Sequence, residues 1–291
     1  MTASTLTATP VVVLDGGLST ALEQQGAQLD GGLWTARLLA DDPQRIAAAH
    51  RAYFTAGAQV ATTASYQASV EGFVAAGCTE AEARRLITRS VTLAQEVREE
   101  FVDARSRPLV AASVGPYGAF LADGSEYRGN YGVPRTRLRD FHQRRLDLLA
   151  TAQPDLIAVE TIPDVMEAEV LVELLDELDV PAWFSYSVRG VTTSAGQPLD
   201  AAYAVLAGCR AIVYAGVNCS SQHDVLGAIQ AAVAATGRPA VAYPNCGGGW
   251  DGQARQWVYG NPIDFDLVES WIAAGARCVG GCCGTGPADI A

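Results

Sequence analysis

Short apolar runs alternate along the chain with longer stretches in which apolar residues recur every three or four positions. The first pattern reads as buried strands and the second as amphipathic helices, so the alternation points to repeated βα units. Strands are expected over 11–15, 58–65, 109–115, 155–160, 182–188, 211–218, 240–244 and 277–281. Helices are expected over 43–56, 79–103, 135–152, 164–178, 199–207, 221–236 and 264–275. Local chemistry agrees with these bounds. Pro43 suits a first helical turn, Thr79 with Glu82 three residues on forms a capping box, and Asp164 and Ser221 are candidate N-caps. Gly57 and Gly275 stand where a left-handed residue ends a helix before the next strand.

Eight such units in 291 residues match an α/β fold of the (β/α)8 TIM-barrel type, with 1–291 as a single domain. A doubly wound open sheet is the alternative, but its Gly-x-Gly-x-x-Gly after the first strand is missing. The longest stretches without a clear period, 16–42, 115–134 and 245–263, each follow a strand. In a barrel they would share the C-terminal face, where active sites are built.

Composition narrows the chemistry. With 20 basic and 32 acidic side chains the net charge is -12, which argues against nucleic acid or an anionic membrane as partner. All the basic residues are Arg, so Schiff-base, pyridoxal-phosphate and Walker-type chemistry, each needing a Lys, are excluded. His50, His142 and His223 are too scattered for a His-x-x-x-His pair. No apolar run is long enough to span a membrane, and MTASTLTATP lacks the features of a secretory signal. A cytoplasmic location is therefore expected, where clustered cysteines bind metal or catalyse more often than they form disulfides.

Seven cysteines stand at 78, 209, 219, 246, 278, 282 and 283. Cys282 and Cys283 end the last predicted strand among glycines, and Asn218-Cys219-Ser220 ends the sixth. Taken alone, an adjacent pair of cysteines is more often two small buried side chains than a metal site. In a barrel, however, both strand ends face one central site, so three thiolates would converge. Three protein ligands with one open position is the arrangement of catalytic zinc. Cys246 follows the seventh strand and could be a fourth ligand, a redox partner or a bystander, the last being preferred; Cys209 and Cys278 point to the other end of the barrel, and Cys78 lies in a loop.

Asp15 and Glu160 also end predicted strands. Either alone could be a helix cap or a surface acid, but together they form an anionic mouth suited to an amino-acid ammonium. A glycosidase-like acid and base is the competing use, and it leaves the cysteines unexplained. Gly16 and Gly17 would admit a ligand close to the backbone. Tyr66, Tyr117, Tyr131, Trp250 and Trp257 add aromatic groups to the same face, where a cation could rest on a ring.

These residues bring the sequence close to a known family. It resembles the homocysteine S-methyltransferases, in particular the S-methylmethionine-dependent branch, in Asp15-Gly16-Gly17, Ala64-Ser65-Tyr66-Gln67-Ala68, the run from Ser113 to Gly129, Glu160-Thr161, Asn218-Cys219, Tyr243-Pro244-Asn245 and Gly280-Gly281-Cys282-Cys283. The resemblance runs in order over nearly the whole chain and implies a (β/α)8 barrel. It implies Zn2+ held by Cys219, Cys282 and Cys283, and a homocysteine pocket lined by Asp15, Gly17, Thr63, Glu160 and Asn218. It further implies methyl transfer from a sulfonium donor, S-methylmethionine or S-adenosylmethionine, to homocysteine, giving methionine. Betaine as donor, a redox-sensing or metal-binding barrel using the same cysteines, and a zinc hydrolase are the alternatives. Two departures from the family pattern are Cys246 after Tyr-Pro-Asn and a final helix that Pro287 opens just before Ala291.

Overall fold

The computed structural model describes residues 11–29, 33–103, 106–251, 256–259 and 262–291. All eight predicted strands form: β1 (Val12–Val13), β2 (Val60–Thr62), β3 (Leu109–Val114), β4 (Leu156–Ile162), β5 (Ala182–Tyr186), β6 (Ile212–Ser221), β7 (Ala240–Asn245) and β8 (Ala276–Val279). They pair in parallel in one sheet, β2 to β8 in chain order with β1 beside β8. The bridge between Leu14 and Val60 joins the first strand to the second. Asp15 N–H donates to Val60 O at 3.1 Å and Gln59 N–H to Val13 O at 2.7 Å, which closes the sheet into a barrel.

Side-chain alternation divides the core in two. Val12, Leu14, Val60, Leu109, Ala111, Leu156, Ala158, Trp183, Tyr214, Val241, Tyr243 and Cys278 fill the barrel interior. The alternate positions, such as Val110, Ile157, Phe184, Val217 and Ala242, meet the surrounding helices. This double burial explains why the strands read as continuous apolar runs.

Twelve α-helices are described: α1 (Leu18–Gln24), α2 (Trp34–Asp41), α3 (Pro43–Ala56), α4 (Val70–Ala75), α5 (Glu80–Glu99), α6 (Tyr117–Leu121), α7 (Arg135–Thr151), α8 (Val165–Asp176), α9 (Leu199–Ala204), α10 (Val225–Thr236), α11 (Phe265–Ala273) and α12 (Pro287–Ile290). The Thr79–Glu82 capping box forms, Asp164 caps α8, and Gly57 takes φ 107° after α3. Ser221 does not cap a helix. It ends β6, and the following helix starts at Val225 after Asp224. The stretches at 16–42, 115–134 and 245–263 are not irregular either: the first holds α1 and α2, the second α6 and a 3-10 turn at Ser125–Tyr127, and the third a hairpin pairing Gly248–Asp251 with Gln256–Tyr259. Among the described residues no helix is long and apolar enough to cross a membrane.

Candidate metal and amino-acid site

The strand ends bring the predicted residues to one cavity of about 110 Å³, lined by Asp15, Gly17, Thr63, Glu160, Asn218, Cys219, Cys282 and Cys283, together with Thr62, Tyr66, Ser113, Tyr127, Thr161 and Tyr243. Tyr243 lines it, and Trp183 packs against Tyr243 in the barrel interior. Their rings meet edge to face at 5.9 Å, and Trp183 Nε1 donates to the Tyr243 hydroxyl at 2.9 Å.

The sulfurs of Cys219, Cys282 and Cys283 lie within 4.8 Å of one another, and Cys219 Sγ is 3.9 Å from Cys283 Sγ. Zinc–sulfur bonds of about 2.3 Å set two sulfurs of a tetrahedral centre about 3.8 Å apart, so the trio fits a metal with little adjustment. Hydrogen bonds from Cys282 and Cys283 hold the Cys219 thiol well below the ordinary thiol range, and sharing protons with it pushes its two neighbours up. The Tyr127 hydroxyl, 3.2 Å from Cys219 Sγ, donates to the same sulfur. Cys246 is not part of this cluster. It lies buried beside it, its N–H donating to Cys283 O at 3.1 Å. Cys278 belongs to the barrel interior, and Cys209 is buried near Val172 O.

Backbone conformation sharpens the site. Thr161 and Cys219, at the ends of β4 and β6, take φ 60° and 48°, left-handed values that non-glycine residues rarely adopt. Asn218 supports both turns from the centre. Its Oδ1 accepts from Thr161 N–H at 2.7 Å and from Ser185 Oγ at 2.9 Å, and its Nδ2 donates to Thr161 Oγ1 at 2.8 Å. At Gly17 an added Cβ would stand 2.7 Å from Cys282 O. Glycine is thus required there by the cysteine loop itself, in addition to any ligand.

Asp15 and Glu160 are neither caps nor surface acids. Asp15 accepts from Thr62 N–H at 2.7 Å and Thr62 Oγ1 at 2.8 Å, yet burial, with Glu160 adding repulsion, pushes its carboxyl from 3.8 up to about 8. Glu160 accepts from Ser113 Oγ, and burial raises it from 4.5 to about 7. Thr63 lines the cavity, but its hydroxyl is engaged by Ser65 Oγ at 2.6 Å and Ser113 N–H at 3.1 Å; the threonine that meets Asp15 is its neighbour Thr62. Of the expected aromatics, Tyr66 faces the cavity, whereas Tyr117 and Tyr131 pack against each other at 5.5 Å and Tyr131 donates to Glu167 at 2.8 Å. The side chains of Trp250 and Trp257 lie outside what the structure describes.

A closed parallel barrel with three convergent thiols and two buried acids at the C-terminal ends of its strands defines an enzyme of the (β/α)8 class with a metal-competent sulfur centre. The sequence profile of the family described as homocysteine S-methyltransferase matches residues 12–291. Homocysteine S-methyltransferase 4 of Zea mays is 45% identical over 296 residues, covering 96% of this chain and 86% of that one. Homocysteine S-methyltransferase YbgG of Bacillus subtilis strain 168 is 42% identical, covering 97% and 92%. The crystal structure of the homocysteine methyltransferase MmuM from Escherichia coli in its metallated form superposes with a TM-score of 0.88 at 42% identity, covering 99% of this chain and 96% of that one. The chain belongs to the homocysteine S-methyltransferase family, and it is an enzyme that transfers a methyl group to homocysteine.

Proposed function

We propose that the chain, acting as one unit over 1–291, methylates homocysteine with a sulfonium donor, S-methylmethionine first and S-adenosylmethionine second, at a Zn2+ site made by Cys219, Cys282 and Cys283. The observation that carries this reading is the three-sulfur cluster opening on a cavity shared with two buried carboxyls. With S-methylmethionine the products are two molecules of methionine.

Cys219, Cys282 and Cys283 would hold Zn2+, which when bound would supply Lewis acidity favouring the ionised form of a thiol near neutral pH, where a free thiol with a pKa of about 8.5 is mostly protonated. The protein does the rest. Asp15 and Glu160 receive the homocysteine ammonium, and the cation returns both raised carboxyls to their ionised form. Thr62 fixes Asp15, Ser113 fixes Glu160, and Asn218 fixes the turn that carries Cys219, so the acceptor sulfur is oriented before the donor arrives. Gly17 and Thr63 complete the wall. Attack of a thiolate on a sulfonium methyl destroys two opposite charges, so a cavity that excludes water favours it over bulk solvent. A reducing, cytoplasmic location would keep the three ligand sulfurs out of disulfides and able to hold the metal.

The test is methionine formation by zinc-loaded, reduced protein with homocysteine and, in parallel, S-methylmethionine, S-adenosylmethionine or betaine. Turnover with S-methylmethionine above the other donors is expected. Turnover with betaine alone would refute the donor assignment.

A further inference from the structure

Glu126 is a buried acid to which the chemistry above gives no task. It lies in the 3-10 turn Ser125–Tyr127, is 3% exposed, and its Oε2 has no hydrogen-bond partner among the described residues. The turn is packed tightly against α6: a Cβ on Gly118 would stand 2.4 Å from Glu126 N. Next in sequence is Tyr127, whose hydroxyl touches Cys219. Burial raises the Glu126 carboxyl, the negative charge of Cys219 adds to the rise, and Tyr66 responds to both Glu126 and Cys219. Tyr66 and Tyr127 line the cavity beside Cys219, and the loop after β3 that carries Tyr127 sets Glu126 next to it.

An unpaired carboxylate oxygen in a protein interior is costly unless a ligand supplies the missing donor. The proposed reaction brings two amino acids to the site, each with an ammonium, and Asp15 and Glu160 serve the first. We propose that Glu126 binds the α-ammonium of the sulfonium amino acid that donates the methyl group. This assignment rests on the donor reading above. The ammonium is a better partner than the sulfonium on energetic grounds. Sulfonium charge disappears in the transition state, so a carboxylate against it would stabilise the ground state and slow transfer, whereas the ammonium keeps its charge throughout.

The experiment is steady-state kinetics of Glu126→Gln and Glu126→Asp with homocysteine and S-methylmethionine. Dimethylsulfoniopropionate, a sulfonium carboxylate without the amine, serves as alternative donor or competitive inhibitor. Glu126→Gln should raise the KM for S-methylmethionine roughly 10- to 100-fold, the loss of one charge-assisted contact. The KM for homocysteine and the response to dimethylsulfoniopropionate should stay within about twofold, and Glu126→Asp should recover part of the loss. An unchanged KM for S-methylmethionine overturns the assignment, as does an equal loss for both sulfonium compounds, which would place the carboxylate against sulfur. A parallel rise in the KM for homocysteine would make Glu126 a structural residue of the whole site. If the parent enzyme shows no turnover with S-methylmethionine, the donor reading falls and takes this assignment with it.

Discussion

Replacing Asp15 by Asn should make the ligand-free protein more stable while spoiling it as an enzyme. The Asp15 carboxyl rises from 3.8 to about 8 because burial disfavours its charged form. In the window between those values the folded protein holds a proton that the unfolded chain has released. Stability is therefore fully present below pH 3.8 and is lost as pH rises through about 8. At about 1.4 kcal/mol per tenfold change in proton affinity, the loss amounts to about 4 kcal/mol at neutral pH and roughly 6 kcal/mol in alkaline solution. Asn escapes it. Its amide oxygen can accept from Thr62 N–H and its NH2 can donate to Thr62 Oγ1, so both existing contacts have replacements. Urea denaturation without homocysteine at about pH 5, 7 and 9 should show an advantage for Asp15→Asn growing from about 1.5 to roughly 6 kcal/mol. Turnover should show the reverse, with the KM for homocysteine raised roughly 10- to 150-fold by loss of a charged hydrogen bond. A variant less stable than the parent at pH 9, or an advantage that does not vary with pH, would refute the argument that Asp15 is a buried acid awaiting a cation.

Other perturbations test other parts of the site. Cys282→Ala should abolish stoichiometric zinc, measured by metal analysis, together with methionine formation; retained metal and near-normal turnover would remove the cluster from the mechanism. Asn218→Ala leaves Thr161 N–H and Ser185 Oγ without their shared acceptor and should lower stability by about 2–3 kcal/mol in urea titration, with a fall in homocysteine affinity. His50 is fully buried in α3, and burial lowers its pKa from 6.5 to about 4, so the unfolded chain takes up its proton first as pH falls. Stability present above pH 6.5 should decline through pH 4 by up to about 3 kcal/mol, and His50→Phe should flatten that part of the profile.

The barrel and the cysteine trio are legible from the amino acids because they depend on simple periodicities. A parallel strand buried on both faces must be apolar throughout, and the strand-end rule places Cys219, Cys282 and Cys283 on one face with no knowledge of detailed contacts. What escaped was set by tertiary geometry. The short helices α1, α2, α4 and α6 are only five to eight residues long and lie in segments interrupted by glycine, where no period survives long enough to show. Ser221 has the chemistry of a cap, but pairing with Asn245 extends β6 through it. Thr62 and Thr63 are the same residue type one position apart, and only the register of β2 decides which meets Asp15. Tyr127 was one tyrosine among several in a long loop. Nothing in its neighbours signals that its hydroxyl reaches Cys219.

The site lies on the seam where β1 and the loop after it meet β8 and the cysteine loop. Gly281 N–H donates to Asp15 O at 3.2 Å, Gly17 N–H to Thr285 O at 3.0 Å, and Gly284 N–H to Thr20 Oγ1 at 3.0 Å across 264 residues of sequence. A growing polypeptide can form β2 to β7 and most of the flanking helices before residues 276–285 leave the ribosome, yet it has no acceptor pocket until they do. Contacts of such long range form slowly, so activity should emerge in refolding later than helix content. Weakening the seam would first yield a folded but inert barrel.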